Sequence, residues 1–242
     1  TLSTDVGERC KNYYHYQKSI IGRNIDLARV RSFVNWLHRH KGMFDGKPPI
    51  VEMVKADRKP VSYLSEPEFA EIMQMDLLSD FYKQVFTFYR ATGCRAQEPF
   101  LGNIEEHGES LWLVIYPDES KTGFTREIQL TPQQASFVRE MRRRKPSETK
   151  LKSYTDNFGR HFKRACRAIG RGELHFHNHR DTFAVMRYLE TQDIYRVMKE
   201  LGHTSLKETV KYANLRLSKV ASDFHSLKMS YNCLLYTSPS PR

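Results

Sequence analysis

The sequence predicts a mainly α-helical fold with one small antiparallel β-sheet, which places it in the α+β class. Most segments repeat apolar residues at helical spacing, and a single pair of β-prone runs is joined by a turn. No internal repeat is present. At 242 residues the chain can form one full domain and a smaller piece, each with buried apolar residues.

The first predicted helix covers residues 24–40. Its apolar residues recur at mostly helical spacing: Ile25, Leu27, Val30, Phe33, Val34 and Leu37. Gly42 and the pair Pro48-Pro49 end this helix. The charged stretch 55–63, which contains a proline, predicts an interdomain linker.

A capped helix opens the second part of the chain. Ser65 can cap its first turn and Glu68 can complete a capping box. The apolar and aromatic run 81–93 predicts a buried helix that Gly93 closes.

The β-prone runs are 111–116 and 126–131, joined by a turn rich in Asp, Ser and Gly. Thr131 and Pro132 then begin another helix. Helical patterns continue to about residue 227, at 133–144, 155–169, 178–191, 193–201 and 205–213.

The chain is basic, with 39 Lys and Arg against 28 Asp and Glu and a formal charge of +11. This excess favours a polyanionic partner, and DNA or RNA leads a membrane surface because no amphipathic basic arm stands out. The alternative is a merely soluble basic surface. No apolar run approaches the ~20 residues that span a bilayer, and no signal peptide is visible, so a cytoplasmic, DNA-associated protein is expected.

Four cysteines occur, at 10, 94, 166 and 233, without a C-x-x-C pair. Single scattered thiols favour a reducing compartment over a disulfide framework or a zinc site. The run HFHNH (175–179) lacks a neighbouring Cys or acidic ligand cluster, so no metal and no other cofactor are expected.

The two ends of the chain differ from the rest. The chain begins at Thr1, so the native start is expected to be missing. The last ten residues, CLLYTSPSPR (233–242), are interpreted as a non-native tail derived from a sequencing adapter. A native Ser/Pro-rich disordered tail is the alternative.

Six residues supply the chemistry for attacking a phosphodiester without a metal: Arg95, Lys121, His177, Arg180, His203 and Tyr212. Arginine binds phosphate with a planar fork that stays charged, so Arg95 and Arg180 are candidates for holding it. A tyrosine becomes a nucleophile once cations and a base favour its phenolate. Taken singly, each residue has a structural alternative, and a Tyr212 that only packs in the core predicts an inaccessible hydroxyl.

Four motifs resemble those of the tyrosine recombinases, the phage integrase family. They are ATGCRAQE (91–98), SKTGFTREIQL (120–130), HNHRDTFA (177–184) and LGHTSLKETVKY (201–212), in which Tyr212 follows His203 by nine residues. The resemblance covers about 63–227. It implies a catalytic domain at 64–228, a linker at 55–63, and at 1–54 the C-terminal part of a helical core-binding domain.

The resemblance also implies roles. Arg95 and Arg180 would bind the scissile phosphate, and His203 would hydrogen-bond one of its oxygens. His177 would take or relay the proton of Tyr212, and Lys121 would protonate the departing 5′ oxygen. Glu98 would orient the arginines from behind.

The implied function is that of a site-specific DNA recombinase or integrase, which joins strands through a 3′-phosphotyrosyl intermediate without metal or ATP. Its partners would be double-stranded attachment sites, as a tetramer on two duplexes, with an accessory directionality factor. The basic runs 141–150 and 160–171 would contact phosphates, and 215–227 would dock on a neighbouring protomer. Alternatives are a type IB topoisomerase-like or telomere-resolving strand transferase, and an inactive DNA-binding relic of a mobile element.

Four positions depart from the family pattern. Asp181 stands where a second His usually follows the arginine, and Cys94 and His179 replace apolar residues. Pro99 replaces an aliphatic residue and fits only in the first turn of a helix. Every catalytic position is still filled, but Asp181 and Pro99 put the geometry around the site in question.

Overall fold

The computed structural model describes residues 20–44, 47–55, 60–120 and 123–227. Lys121 and the segment 228–242 therefore lie outside the described residues. The chain divides into two compact units between residues 59 and 60. This division falls within the segment predicted as a linker, whereas the assignment of the domains stays a prediction.

The first unit is built on helix α1 (Ile20–Lys41), which is longer than the predicted 24–40. Leu27 and Val34 are buried on one side of α1 against Val51. Asn24 fixes the following segment through paired hydrogen bonds of 2.8 Å with the main chain of Val54. The apolar spacing in α1 thus serves to bind the returning chain.

The second unit is mainly helical. Its elements are α2 (Glu66–Gln74), α3 (Asp80–Thr92), α4 (Glu98–Leu101), β1 (Asn103–His107), β2 (Ser110–Ile115), a 3₁₀ turn (Pro117–Glu119), β3 (Arg126–Leu130), α5 (Pro132–Arg144), α6 (Leu151–Ala168), α7 (Asn178–Thr191), α8 (Ile194–Leu201), α9 (Leu206–Ala213) and α10 (Leu217–Asp223). The α+β class predicted from the sequence is confirmed.

The sheet is antiparallel in the order β1-β2-β3. The predicted pair β2 and β3 is confirmed, with Leu113 opposite Ile128. Strand β1 was not predicted, because its sequence NIEEH is polar and has no buried residue. It forms since a short turn returns the chain to β2, where Ile104 pairs with Leu113.

Several helices begin with the caps that the sequence predicts. Ser65 and Glu68 form the predicted capping box of α2, and Thr131 forms one with Gln134 at α5. Pro99 lies in the first turn of α4, where it leaves no hydrogen bond unmade.

Ser205 and Glu208 have the spacing that predicts a capping box for α9, and this prediction is wrong. The Ser205 hydroxyl caps α9 by accepting from the main-chain N–H of Lys207. The Glu208 side chain instead lies 4.0 Å from His203 Nε2. The box is therefore half formed, with the Ser205 hydrogen bond and without the return bond from Glu208.

Two apolar clusters fill the second unit. The larger lies among α2 to α6 and the sheet and is rich in aromatic rings such as Phe86, Phe158 and Phe162. The smaller joins α7, α8, α9 and α10 and contains Tyr212. The end of α3, the start of α7 and the end of α8 carry the candidate site.

The segment predicted to dock on a neighbouring protomer packs on its own chain. Val220 and Phe224 are buried in the smaller cluster, and Tyr63 donates a 2.6 Å hydrogen bond to Asp223. In the single chain these apolar side chains have their own unit as a partner. Among the described residues, none of the helices has the length and apolar character needed to cross a membrane.

Candidate active site

The Arg95 side chain is anchored from two sides. It lies in the turn between α3 and α4, where its Nη1 is 2.7 Å from Glu98 Oε1. Its Nη2 donates to the main-chain oxygen of Gly202, 107 residues further along the chain, at 3.3 Å. The side chain remains 23% exposed, so the rest of the guanidinium can reach a ligand from solvent.

Glu98 is the buried anion beneath this site. Its second oxygen pairs with Arg126 Nη1, and the main-chain N–H of Arg95 donates to the same oxygen. Burial alone would raise the pKa of the Glu98 carboxyl, but Arg126 and Arg180 outweigh it and the pKa is lowered. The carboxylate is therefore ionised, and an ionised Glu98 is what the predicted role of orienting the arginines requires.

Arg180 is only 2% exposed, although it carries a charge. It lies in the first turn of α7, and its Nη1 donates to the Gly93 oxygen at 2.7 Å. Its Nη2 donates to the Leu201 oxygen. Burial and the nearby Arg126 and Arg95 lower the pKa of its guanidinium, so an added anion would be strongly favoured beside it.

Two glycines let these groups approach closely. Gly93 ends α3 with φ +61°, and a Cβ there would lie 2.4 Å from the Phe183 ring. Gly202 ends α8 with the same φ, and its Cβ would lie 2.7 Å from Arg126 Cδ. Both glycines belong to the motifs, and their free carbonyls receive the arginine hydrogen bonds.

His203 follows Gly202 and points into the same region. Its Nδ1 is 2.9 Å from the hydroxyl of the buried Thr209. Burial, together with Arg180 and Arg95, lowers the pKa of the imidazole to about 4. His203 is thus neutral at physiological pH and fit to hydrogen-bond a phosphate oxygen.

His177 stands at the start of α7, with an exposed side chain. Partial desolvation by surrounding protein atoms lowers the pKa of its imidazole, and Arg180 and Lys211 act in the same direction. Asp181 opposes them. His177 is therefore a neutral base at pH 7, at the edge of the site.

Tyr212 is buried, with 1% exposure. This is what a purely structural tyrosine would show, and its ring does pack in the smaller cluster. Its hydroxyl, however, donates a 2.8 Å hydrogen bond to Asp181 Oδ1, beside Lys211 Nζ. Burial, then Asp181, raise the pKa of the phenol above its ordinary value.

The structure thus gathers five of the six predicted residues: Arg95, His177, Arg180, His203 and Tyr212. Lys121 lies outside the described residues. Its hairpin is nevertheless tied to the site, because Arg126 at the start of β3 donates to Glu98, Gly93 and Glu200.

A basic groove begins at the edge of this cluster. It has a volume of about 720 Å³, and its lining includes Ala96, His177 and three arginines of α6, Arg160, Arg164 and Arg167. These three arginines are exposed and make no ion pair within the described part of the chain.

Other cations of the predicted phosphate-contacting runs have structural partners. Arg142 donates to Pro99 and Gly102, and Arg171 pairs with Glu68 and Glu173. Only part of the two basic runs is therefore free to bind a polyanion. The described residues contain no group of three or more His, Cys, Asp or Glu side chains placed to hold a metal ion.

A match to a known sequence family shows which family this chain belongs to. The sequence profile described as the phage integrase family matches residues 63–218, well over half of the chain. The chain belongs to the phage integrase family. It is a tyrosine recombinase by family, as the four motifs predict.

Solved structures of tyrosine recombinases share the fold of this family member. XerH recombinase bound to palindromic difH substrate, in a post-cleavage complex, has a TM-score of 0.65 at 16% identity, covering 90% of this chain and 70% of that one. The Tn1549 transposon integrase with transposon right end DNA has a TM-score of 0.64 at 15% identity, covering 90% and 82%.

A lambda integrase dimer bound to a COC′ core site has a TM-score of 0.61 at 17% identity, covering 89% and 81%. At these identities the likeness establishes the fold. None of the curated proteins matches the sequence.

Three residues of this integrase-family site were not predicted as members of it. Arg126 lies inside the quoted hairpin motif, five positions after Lys121, and only its burial in the folded chain shows its role. Asp181 was noted only as a departure from the family pattern. Lys211 precedes Tyr212 and carried no signal of its own, since a lysine on a helix is usually solvated.

Proposed function

We propose that this chain is a site-specific DNA recombinase or integrase that cleaves and rejoins strands through a 3′-phosphotyrosyl intermediate formed by Tyr212. The reaction would require neither ATP nor a metal ion. A phosphotyrosyl ester conserves the energy of the broken phosphodiester, so rejoining can follow by attack of a 5′ hydroxyl.

One observation carries the proposal. The guanidinium groups of Arg95 and Arg180, far apart in sequence, are both held by main-chain oxygens. Arg95 donates to Gly202, and Arg180 donates to Gly93 and Leu201. The neutral His203 follows Gly202 directly. Cations held in advance where negative charge develops stabilise a pentavalent phosphoryl transition state without reorganisation. The Tyr212 phenol lies within the field of Arg180.

The proposed roles follow from this placement. Arg95 and Arg180 bind non-bridging oxygens, and His203 donates to one of them through Nε2. Lys121, from the hairpin before β3, protonates the leaving 5′ oxygen. Glu98 keeps Arg95 and Arg126 in place through its two oxygens.

DNA is the proposed substrate because the groove beside His177 is lined by unpaired arginines. Arg160, Arg164 and Arg167 follow one another on one side of α6 at helical spacing. Guanidinium groups in such a row can follow a phosphate backbone leading to the cleavage centre. The XerH, Tn1549 and lambda proteins named above were each solved with DNA.

The test begins with a library of nicked duplexes that carry a randomised core, so that the target sequence need not be known. A nick lets the cleaved end diffuse away and traps the covalent adduct. Wild-type protein is expected to yield adducts that resist denaturation, and Tyr212→Phe is expected to yield none. Tyr195→Phe is the control, because Tyr195 is exposed on α8 and outside the site.

Two results would contradict the proposal. One is the absence of any adduct with wild-type protein, which favours a DNA-binding relic. The other is an adduct that persists in Tyr212→Phe. Relaxation of supercoiled plasmid without joining of two duplexes would favour the topoisomerase-like alternative.

The domain assignment and the assembly extend this proposal. Residues 1–54 would be part of a core-binding domain, 55–63 the linker and 64–228 the catalytic domain. A tetramer on two duplexes, a directionality factor, a cytoplasmic location and a non-native tail at 233–242 stay predictions. Light scattering of the protein with a recovered duplex would measure the number of protomers per DNA.

A further inference from the structure

Asp181 binds the hydroxyl of the proposed nucleophile directly. Its Oδ1 accepts a 2.8 Å hydrogen bond from Tyr212 and lies 2.9 Å from Lys211 Nζ. Its Oδ2 accepts a hydrogen bond of 3.1 Å from Asn178 Nδ2. The side chain is 9% exposed, so both oxygens are held in a fixed and nearly dry position.

The family resemblance gives the tyrosine proton to His177, and the geometry does not favour this. Within the described residues, no hydrogen bond joins the His177 side chain to Tyr212, and the imidazole is exposed to solvent. Asp181 lies one helical turn further along α7, with its carboxylate directed inward at the phenol. The group in contact with the reacting proton is therefore the carboxylate.

We propose that Asp181 is the general base that accepts the Tyr212 proton during strand cleavage and returns it during rejoining. This rests on the function proposed above, in which Tyr212 attacks the scissile phosphate. In this proposal Asp181, which departs from the family pattern, takes part directly in the reaction.

Each strand cleavage moves one proton to Asp181 and one proton from Lys121. A lone pair of Tyr212 Oη forms the bond to phosphorus while the proton moves to Asp181 Oδ1. The bond between phosphorus and the 5′ oxygen breaks, and that oxygen takes a proton from Lys121 Nζ. Rejoining reverses both transfers, so no oxidant, nucleotide or other reactant is consumed.

A carboxylate is a strong enough base because the proton leaves Tyr212 only while the bond to phosphorus is forming. In the resting site the phenol keeps its proton, since burial and Asp181 hold the pKa of Tyr212 above its ordinary value. As Oη begins to bond to phosphorus, its proton becomes strongly acidic and a weak base can take it. Protein kinases use an aspartate in the same way on a substrate hydroxyl.

The charges around the phenol fit this transfer. Arg180 on α7 favours negative charge on Oη, whereas Asp181 and Glu208 disfavour it. Lys211 on α9 lies 4.7 Å from the centre of the Tyr212 ring, and His177 stands at the edge of the group. Cations therefore flank the phenol while a single carboxylate receives its proton.

The experiment measures single-turnover cleavage by Asp181→Asn on a nicked duplex recovered from the randomised library with wild-type protein. Asparagine keeps the shape and can still accept the Tyr212 hydrogen bond, but it cannot take up the proton. Cleavage is expected to slow by about 10²–10⁴-fold, the usual contribution of a general base. The remaining rate should rise about tenfold per pH unit from neutral pH upward, because the phenolate must then form through solution.

A second substrate separates the base from the acid. A bridging sulfur in place of the 5′ oxygen leaves as a thiolate and needs no proton. It should restore cleavage in Lys121→Ala and not in Asp181→Asn. Asp223→Asn is the matched control, because it removes a similar Tyr–Asp hydrogen bond, from Tyr63, outside the site.

Three results would overturn the proposal. Cleavage by Asp181→Asn at or above the wild-type rate would mean that the carboxylate only holds Tyr212 in its resting position. A slowed rate with the wild-type pH profile would make it a positioning residue. Rescue of Asp181→Asn by the sulfur substrate would assign it to the leaving group. Failure of the proposed function is distinguishable, since wild-type protein would then form no Tyr212-dependent adduct.

Discussion

At the scale of single residues, His179 is a buried histidine without a hydrogen-bond partner. It is 1% exposed, and neither ring nitrogen is bonded among the described residues. Its ring packs against Phe86, Phe162 and Phe176. Burial lowers the pKa of the imidazole from 6.5 to about 3, so His179 behaves as a neutral ring in an aromatic core.

His179→Leu is expected to stabilise the protein by about 1–3 kcal/mol at pH 7, the cost of an unsatisfied buried polar group. The gain should grow on acidification. Between pH 6.5 and 3 the unfolded chain binds a proton that the folded chain does not, so wild-type stability falls as pH falls through this window. Urea unfolding of both proteins at pH 7 and pH 5 measures the difference.

The pH dependence of the stability difference between wild type and His179→Leu tests this prediction. A stability difference that stays constant from pH 7 to pH 5 would mean that the imidazole is not held neutral by burial. His175→Leu is a suitable comparison, because His175 is exposed and lies four residues before His179, on the connection that leads into α7.

At the scale of elements, the end of α8 and the start of β3 are locked together by one glycine and one arginine. Gly202 ends α8 in a left-handed conformation, and Arg126 of β3 passes directly beside its Cα. Arg126 in turn pairs with the Glu98 carboxylate of α4 and donates to the main-chain oxygen of Glu200 in α8. The motif glycine is therefore a packing requirement of the arginine cluster.

Gly202→Ala is expected to slow covalent adduct formation and to destabilise the fold beyond ordinary backbone strain. The left-handed conformation alone costs about 1–2 kcal/mol for a residue with a Cβ. Gly170→Ala measures this cost separately, because Gly170 has φ +75° and an added Cβ would meet open space. Thermal melting and adduct yield of the two variants give the extra effect.

Equal effects of Gly202→Ala and Gly170→Ala would show that the approach of Arg126 to Gly202 is unimportant. A loss of adduct yield in Gly202→Ala at a temperature where the variant remains folded would show that the arginine cluster, the proposed phosphate site, has been displaced.

At the scale of the whole molecule, positive charge is distributed unevenly between structural and free positions. Many arginines are tied to carboxylates, such as Arg187 to Glu190 and Glu200. The three arginines along the groove of α6 are not paired among the described residues. DNA binding by the second unit should therefore depend on α6 more than on net charge.

Replacing Arg160, Arg164 and Arg167 together by Gln is expected to reduce the slope of log K against log salt by up to about 3, about 1 for each phosphate that is no longer neutralised. Fluorescence anisotropy with a random-sequence duplex at several salt concentrations measures it. Arg196→Gln is the control, since its guanidinium already pairs with Glu200 at 3.0 Å. An unchanged slope in the triple variant would exclude the groove as the phosphate path.

Much of the architecture was predictable because it depends on local signals. The caps at Ser65 and Thr131, the glycine that closes α3 and the spacing within α1 act between residues a few positions apart. Strand β1 was missed because two of its five residues are Glu and its stability comes from pairing with β2. At Ser205 only the hydroxyl caps the helix, and the Glu208 side chain lies elsewhere, 4.0 Å from His203 Nε2.

The sequence by itself determined the helical class with its small sheet, the basic character, and the order of Arg95, Lys121, His177, Arg180, His203 and Tyr212. Those features are carried by composition and by spacing along the chain. Only the tertiary structure decided that Asp181 contacts the phenol, that Arg126 supports Glu98, and that Tyr212 is buried. These two contacts join residues 28 and 31 positions apart on different elements, and packing between elements, rather than local spacing, sets which side chains meet.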